Sequence, residues 1–187
     1  MLHLSTQDVV SSIEKSTLLV KQGISYQHYQ DFFGNDVLKD LESVENLKTT
    51  ELERQIGFGR GNIDHSEIIM KKMKIFFSST KITKTLETKF DTPLKFKSVD
   101  VWTDKPGYFL PPHVDDPRIK LAVQIYLGSG PNAGTCLFDK DHNILDTFDY
   151  KPNCGYALLN NDVSLHGLTG IVPDNNNLRK SIYVRYS

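Results

Sequence analysis

Hydrophobic residues change their spacing near the middle of the chain. Before residue 96 they recur at helical intervals, most clearly on one face of a segment that starts near Ser66 and carries Ile69, Met70, Met73, Phe76 and Phe77. This spacing predicts an amphipathic helix whose apolar face packs against a core. A second helix is predicted at residues 36–47, where one side carries Val37, Leu38, Leu41 and Val44.

From residue 96 onward, short β-rich runs are separated by Gly, Pro, Asn and Asp. The pattern predicts eight strands, at residues 97–103, 108–113, 119–127, 134–138, 144–149, 154–159, 165–171 and 178–186. Short strands with close turn signals after a helical opening are typical of a jelly roll supported by helices. We therefore expect an α+β, mainly β, fold in one domain over 1–187, with mostly helical support at 1–95 and a double-stranded β-helix core at 96–187.

Composition narrows the class of protein. The 187 residues are 39% apolar and 24% charged, which favours one globular domain and argues against disorder and coiled coils. The formal net charge of -1 gives no bulk support for nucleic-acid binding, although it does not exclude it. Two cysteines, Cys136 and Cys154, favour a reducing compartment. With no signal-peptide pattern and no long apolar run, we expect a soluble cytoplasmic protein without membrane association.

Two local features leave alternatives open. The stretch 71–97 contains eight lysines against Glu87 and Asp91, which fits a solvated helix face or a docking surface for an acidic or nucleic-acid partner. The glycine-rich run at 57–61 lacks the spacing of a dinucleotide or phosphate loop. We interpret that run as a flexible loop that could cover a site.

Candidate metal chemistry begins with His113 and Asp115. Side chains at i and i+2 of an extended segment point to the same side, so the two can converge on one ion. His166 lies 53 residues further on, at the start of a later predicted strand. Two His and one carboxylate suit non-haem Fe(II) with three open positions. A structural zinc site is a poor fit, whereas catalytic zinc remains open on ligand identity alone.

Arg179 introduces a predicted strand on which polar residues alternate. Arg179, Ser181, Tyr183 and Arg185 therefore share one face of residues 178–186. A guanidinium group inside a barrel needs an anion, and the distal carboxylate of 2-oxoglutarate would be a suitable partner. The alternative is the outward face of an edge strand, where such polar alternation is ordinary.

Taken in order, these motifs resemble the 2-oxoglutarate- and Fe(II)-dependent dioxygenase superfamily, and within it the prolyl-hydroxylase-like branch. The resemblance covers residues 99–186. It rests on GYFLPPHVD (107–115), VQIYLG (123–128), PNCGYALL (152–159), LHG (165–167) and the alternating strand that begins at Arg179.

The resemblance implies roles for specific residues. Fe(II) would be bound by His113, Asp115 and His166. For 2-oxoglutarate, the resemblance implies a salt bridge from Arg179 and a hydrogen bond from the Tyr126 hydroxyl. Either Ser181 or Tyr183 would assist Arg179 with a second hydroxyl group. Tyr108 is also implied in binding 2-oxoglutarate.

The activity implied by the resemblance is O2-dependent hydroxylation of an unactivated C–H bond, with release of succinate and CO2 and with ascorbate as an optional cofactor. A protein or peptide side chain, with proline as the leading candidate, is the expected substrate. Three alternatives remain open. Arg179 and Arg185, six residues apart, also resemble the strand of nucleic-acid demethylases in the superfamily. The others are a non-catalytic metal- or oxo-acid-binding sensor or scaffold, and a cupin-type isomerase or hydrolase, which would not need Arg179.

Overall fold

Helices and strands were assigned in a computed structural model that describes residues 4–34, 37, 49–51, 60–63, 67–130, 134–170, 172 and 178–187. The helices are α1 (Thr6–Lys15), α2 (Glu67–Phe77) and α3 (Thr80–Phe90). The strands are β1 (Leu18–Lys21), β2 (Ile24–Tyr29), β3 (Thr49–Glu51), β4 (Arg60–Ile63), β5 (Phe96–Asp104), β6 (Leu121–Tyr126), β7 (Thr135–Phe138), β8 (Ile144–Phe148), β9 (Gly155–Leu159), β10 (His166–Gly167) and β11 (Arg179–Tyr186).

The described strands form two antiparallel sheets. The large sheet has eight strands in the order β1-β2-β9-β6-β11-β5-β4-β3, and the small sheet has three in the order β10-β7-β8. The long strand β11 lies inside the large sheet, where Ile182 is opposite Val101 of β5 and Ile125 of β6. Two antiparallel sheets with supporting helices confirm the mainly β jelly-roll prediction.

Helices cover one face of the large sheet. In α2, Met73, Phe76 and Phe77 are buried, as the spacing of apolar residues predicts, while Ile69 and Met70 pack at the margin of the core. Ile182 and Val184 of β11, among others, meet the helices from the sheet side. None of the described helices has the length and apolar character needed to cross a membrane.

A second core lies between the two sheets and is rich in aromatic residues. Its members come from both sheets and comprise Ile24, Tyr26, Tyr126, Leu137, Phe148, Tyr150, Tyr156 and Leu158. The rings of Phe148 and Tyr156 stack at 4.2 Å between centroids, which joins β8 of the small sheet to β9 of the large one. The central strands β6 and β9 of the large sheet are therefore buried on both faces.

The strand predicted at 108–113 is wrong. The segment makes separate hydrogen bonds to residues 166–172, such as Leu168 N to Leu110 O at 2.8 Å, and one isolated bridge between His113 and His166. Pro111 and Pro112 have no N–H to donate, which prevents a continuous ladder. The strand predicted at 165–171 is correspondingly short, because regular pairing ends after β10.

The prediction of mostly helical support at 1–95 missed strands β1 to β4. Strands β1 and β2 form a hairpin in which Gln22 and Gly23 both have positive φ, at 49° and 81°. These values match the two-residue turn that suits the right-handed twist of a hairpin. The helix predicted at 36–47 lies outside the described residues apart from Val37, and residues 57–59 of the glycine-rich run also lie outside them. Arg60 and Gly61 belong to β4.

Asp146 on β8 connects the small sheet to the first hairpin. Its Oδ2 accepts hydrogen bonds from Tyr26 Oη at 2.5 Å and Lys21 Nζ at 2.8 Å, with His28 Nε2 at 3.4 Å. Burial alone would raise the pKa of Asp146, but the hydrogen bonds from Lys21 and Tyr26 outweigh it and lower the pKa. The ionised carboxylate therefore stabilises the folded state.

We expect Asp146→Asn to lower the free energy of unfolding at pH 7 by about 1–3 kcal/mol, because hydrogen bonds to a charged group are lost. Since the pKa is lower in the folded state, this stability is present above the unfolded value of about 3.9 and is lost as the pH falls below it. Urea denaturation at pH 7 and pH 3 should show wild type and variant converging at acidic pH. The control is Asp149→Asn, whose exposed partner is Lys151; equal losses at pH 7 would contradict the prediction.

Candidate metal centre

The three predicted metal ligands meet at one end of the small sheet. His113 and His166 are joined through their backbones, with His113 N to His166 O at 3.0 Å and His166 N to His113 O at 2.9 Å. Asp115 follows two residues after His113. The candidate ligand atoms of the three side chains all lie within 4.8 Å of one another. The structure thus brings together residues that are far apart in the sequence, in an arrangement that could hold a metal ion.

Gly167 permits this close approach. A Cβ atom at residue 167 would lie 2.7 Å from the carbonyl oxygen of Leu110 and 2.8 Å from that of Pro111. Any other residue would therefore push the 110–113 segment away from β10. The glycine that follows His166 keeps that histidine within reach of His113.

Both imidazole rings present Nε2 to the centre. His113 Nδ1 lies 2.9 Å from the carbonyl oxygen of Pro111, and His166 Nδ1 lies 3.0 Å from that of Ser164. A carbonyl oxygen only accepts, so Nδ1 carries the hydrogen and Nε2 of a neutral ring keeps its lone pair. Burial lowers the pKa of His166, which favours that neutral ring. Backbone partners of this kind fix the orientation of metal-binding histidines.

The two carboxylate oxygens of Asp115 have different surroundings. Oδ1 lies 3.8 Å from Nε2 of His113 and 3.9 Å from Nε2 of His166. Oδ2 accepts a hydrogen bond from Tyr183 Oη at 2.6 Å. Neither Cys136 nor Cys154 belongs to the cluster, so its donors are nitrogen and oxygen. Such a set, with three protein ligands, suits a six-coordinate metal that keeps positions for reactants better than a closed zinc site.

A cavity of about 690 Å³ adjoins the three ligands. Arg179, Tyr108 and Thr135 line it from buried positions, whereas Lys97 and Arg118 line it from exposed ones. The cavity therefore runs from the protein surface, past the three candidate ligands, to the buried guanidinium group of Arg179.

Asp104 is an anionic partner of Arg179. The two residues are directly opposite on β5 and β11, and Arg179 Nη1 donates to Asp104 Oδ2 at 2.6 Å. Both side chains are almost fully buried, at 2% and 0% exposure. Burial alone would lower the pKa of Arg179, but Asp104 outweighs it and raises the pKa, so the guanidinium stays charged. Asp104 therefore supplies an anion to this arginine inside the protein, and the role of Arg179 in binding 2-oxoglutarate stays a prediction.

Arg60 of β4 is a second cation on the same carboxylate. Its Nε and Nη2 donate to the two oxygens of Asp104 at 2.6 and 3.0 Å. The guanidinium carbon lies 4.6 Å from the centroid of the Tyr108 ring and 5.4 Å from that of Trp102. Two guanidinium groups thus share one carboxylate, which leaves this group of three residues with a net positive charge beside the cavity.

Three other residues implied in binding 2-oxoglutarate, Tyr126, Ser181 and Tyr108, have different surroundings. The Tyr126 ring lies 5.2 Å from the guanidinium carbon of Arg179, while its hydroxyl donates to Thr135 Oγ1 at 2.9 Å. Ser181 Oγ accepts a hydrogen bond from Gln124 at 2.8 Å. Tyr108 lines the cavity, and its buried hydroxyl has no hydrogen-bond partner among the described residues. Burial raises the pKa of Tyr108 to about 12, so this hydroxyl stays protonated as a donor.

Comparison with known proteins gives matches in structure. No protein-family model matches the sequence, and no curated protein matches it. An oxidoreductase of the 2OG-Fe(II) oxygenase family from Burkholderia pseudomallei matches with a TM-score of 0.62 at 13% identity, over 98% of this chain and 90% of that chain. A prolyl-4-hydroxylase from Pseudomonas putida matches with a TM-score of 0.56 at 14% identity, over 97% and 98%.

A third solved structure carries ligands. HygX from Streptomyces hygroscopicus, with nickel and 2-oxoglutarate bound, matches with a TM-score of 0.62 at 10% identity, over 87% of this chain and 82% of that chain. The chain has the fold of the 2-oxoglutarate- and Fe(II)-dependent oxygenases. The resemblance inferred from the sequence motifs is thereby confirmed for the fold.

Sequence reasoning missed Asp104 and Arg60 in this oxygenase fold. Asp104 left a signal, because Asp100 and Asp104 fall on one face of β5, and Arg179 and Arg185 fall on one face of β11. In the structure Arg185 pairs with Asp100, and Arg179 pairs with Asp104. Two acidic residues on one strand face and two arginines on another could therefore have indicated that the two strands are neighbours. Arg60 lies in a run without apolar periodicity and gave no comparable signal.

We expect divalent cobalt to raise the melting temperature of the wild-type chain, since a ligand at about 100 times its Kd adds about 2.7 kcal/mol of stability. His166→Ala should abolish that increase, because it removes one of three ligands. His142→Asn is the control: it changes a histidine in a turn where φ is 63°, a conformation that asparagine tolerates. Differential scanning fluorimetry with and without Co(II) measures both. An undiminished shift in His166→Ala would contradict the placement of the metal.

Proposed function

We propose that the chain is a 2-oxoglutarate- and Fe(II)-dependent oxygenase that hydroxylates an unactivated C–H bond. The observation that supports this best is that His113, Asp115, His166 and the buried Arg179 line one cavity. When bound, iron with 2-oxoglutarate and dioxygen supplies the oxidation: one oxygen atom enters the C–H bond, and the other enters succinate as CO2 leaves. The protein would supply the metal ligands and the orientation of the reactants.

The metal ligands define where the reaction takes place. His113, Asp115 and His166 would hold one face of the ion and leave the opposite face for reactants. Their Nε2 and Oδ1 atoms already point to a common centre, so little reorganisation is needed when metal binds. The iron would therefore lie at the wall of the cavity.

The distal carboxylate of 2-oxoglutarate would bind at the Arg179 end. Arg60 and Arg179 place two guanidinium groups around the carboxylate of Asp104 at this end, and a cluster with more cations than anions among these three residues would favour an anionic ligand. The hydroxyl of Tyr108, which has no hydrogen-bond partner in the part of the chain that the structure describes, adds a donor beside them. Within this proposal, Tyr126 supports Arg179 from its ring face, and Ser181 supports the wall through Gln124.

We expect Arg179→Ala to weaken 2-oxoglutarate binding by roughly 30-fold to several-thousand-fold, corresponding to about 2–5 kcal/mol for one partner of a buried charge pair. Arg179→Lys should fall between, because it keeps the charge but loses the planar fork. The control is Arg118→Ala, at an exposed arginine on the same cavity that pairs with Asp116. Anaerobic titration of the Fe(II)-loaded chain measures affinity, and succinate release under oxygen measures turnover. Wild-type dependence on 2-oxoglutarate in Arg179→Ala would reject this anchor.

For the primary substrate we propose a peptidyl side chain, with proline as the first candidate. Two structures with this fold are prolyl hydroxylases, one from Pseudomonas putida and one from Trichoplax adhaerens in complex with a hypoxia inducible factor peptide fragment. HygX, also matched, is seen with hygromycin B, so the fold serves small molecules as well.

Both cysteines are free thiols, which supports a cytoplasmic location for this reaction.

A peptide array incubated with Fe(II), 2-oxoglutarate and oxygen should give proline-containing peptides about 16 Da heavier, the mass of one added oxygen atom. The increase should disappear in His166→Ala and should match the succinate released. A parallel reaction with methylated nucleic acid tests the alternative that the protein is a nucleic-acid demethylase. Turnover on nucleic acid alone would refute the peptide proposal while leaving the oxygenase intact.

A further inference from the structure

The hydroxyl of Tyr183 contacts a metal ligand and not the anion end of the cavity. Its Oη donates to Asp115 Oδ2 at 2.6 Å, a short bond of the strength expected between a phenol and a carboxylate. The other oxygen, Oδ1, is the one that faces the two imidazole rings, at 3.8 and 3.9 Å. One carboxylate oxygen is therefore engaged by the protein while the second faces the metal position.

Tyr183 belongs to a rigid element, whereas Asp115 does not. Strand β11 is paired on both sides, with Tyr183 opposite Asp100 of β5 and Gln124 of β6. Asp115 lies in the irregular segment between β5 and β6, where the nearest sheet-like contact is the single bridge at His113. Within the part of the chain that the structure describes, Tyr183 gives Asp115 Oδ2 its only hydrogen bond. The sheet thus fixes the carboxylate through this phenol.

We propose that Tyr183 is a positioning residue that holds Asp115 as a one-oxygen metal ligand. Rotating the carboxylate so that both oxygens reach the metal would break the hydrogen bond to Tyr183. The bond therefore protects an open coordination position that a two-oxygen aspartate would occupy. This inference rests on the proposed function, because it concerns the same metal. It differs in the role of Tyr183, whose hydroxyl would orient Asp115 instead of binding 2-oxoglutarate.

The test is Co(II) titration of the apo chain without 2-oxoglutarate, comparing wild type with Tyr183→Phe. Loss of such an outer partner of a metal ligand typically weakens metal binding 10- to 100-fold, and we expect a change of about that size. The visible absorption of bound Co(II) should also change, because it reports ligand number and geometry and Asp115 Oδ2 is then free to approach the ion. Both readouts are independent of turnover.

Tyr26→Phe is the matched control. It removes another tyrosine hydroxyl from another aspartate, Asp146, where the hydrogen bond is 2.5 Å long and no candidate metal ligand is involved. If Tyr183 acts through Asp115, Tyr26→Phe keeps the wild-type Co(II) affinity and spectrum even if its melting temperature falls. In an Asp115→Asn background, the further change Tyr183→Phe should have little effect on Co(II) affinity.

The outcomes separate this inference from the proposed function. Weaker binding and an altered spectrum in Tyr183→Phe alone support the positioning role. Unchanged affinity and spectrum in Tyr183→Phe overturn it and leave the metal centre standing. A Tyr183→Phe chain that no longer melts cooperatively without metal also overturns it, because Tyr183 would then serve the fold. A wild-type chain that binds no Co(II) overturns the metal centre and this inference together.

Discussion

The carboxylate of Asp104 is the constraint on which the buried end of the cavity depends. It is fully inaccessible to solvent, and a buried charge is tolerated only with partners of opposite charge. Arg179 reaches it from the neighbouring strand β11, and Arg60 reaches it from β4. Removing one partner of such a buried pair typically costs about 3–5 kcal/mol. This interaction therefore fixes the orientation of Arg179 and ties β4 to the wall of the cavity.

Strand β11 contributes residues to both the apolar core and the candidate site, because one of its faces is apolar and the other is polar. Ile182 and Val184 enter the apolar core beneath the helices, while Tyr183 and Arg179 line the cavity on the other face. A shift of one residue in its pairing would exchange these faces and bury the wrong side chains. The charge pairs between β11 and β5, at Arg179 with Asp104 and at Arg185 with Asp100, act with the apolar residues to exclude that shift.

What the sequence predicts well here is local in origin. The apolar stripe of α2, most of the strands after residue 96 and the His113 and Asp115 pair follow from spacing along a few residues. Strand β2 could not be found that way, because both of its faces are largely buried and apolar and polar residues do not separate cleanly. The Gln22-Gly23 pair, which forms the turn between β1 and β2, was the only local signal for this hairpin. The partners of Arg179 depend on which strands become neighbours, and the predicted strand at 108–113 failed because its prolines interrupt pairing.

The sequence left open whether Ser181 or Tyr183 assists Arg179, because alternation places both on one face. Distance along the strand separates them: a strand rises about 3.3 Å per residue, so Tyr183 lies about 13 Å beyond Arg179 and Ser181 about half as far. The structure agrees, since Tyr183 reaches the candidate ligand Asp115 while Arg179 reaches Asp104. The order of residues on β11 thus sets the order along the cavity, from the anion end to the metal end. Under the proposed function, 2-oxoglutarate would engage both ends, with its distal carboxylate at the Arg179 end and its metal-binding oxygens at the other.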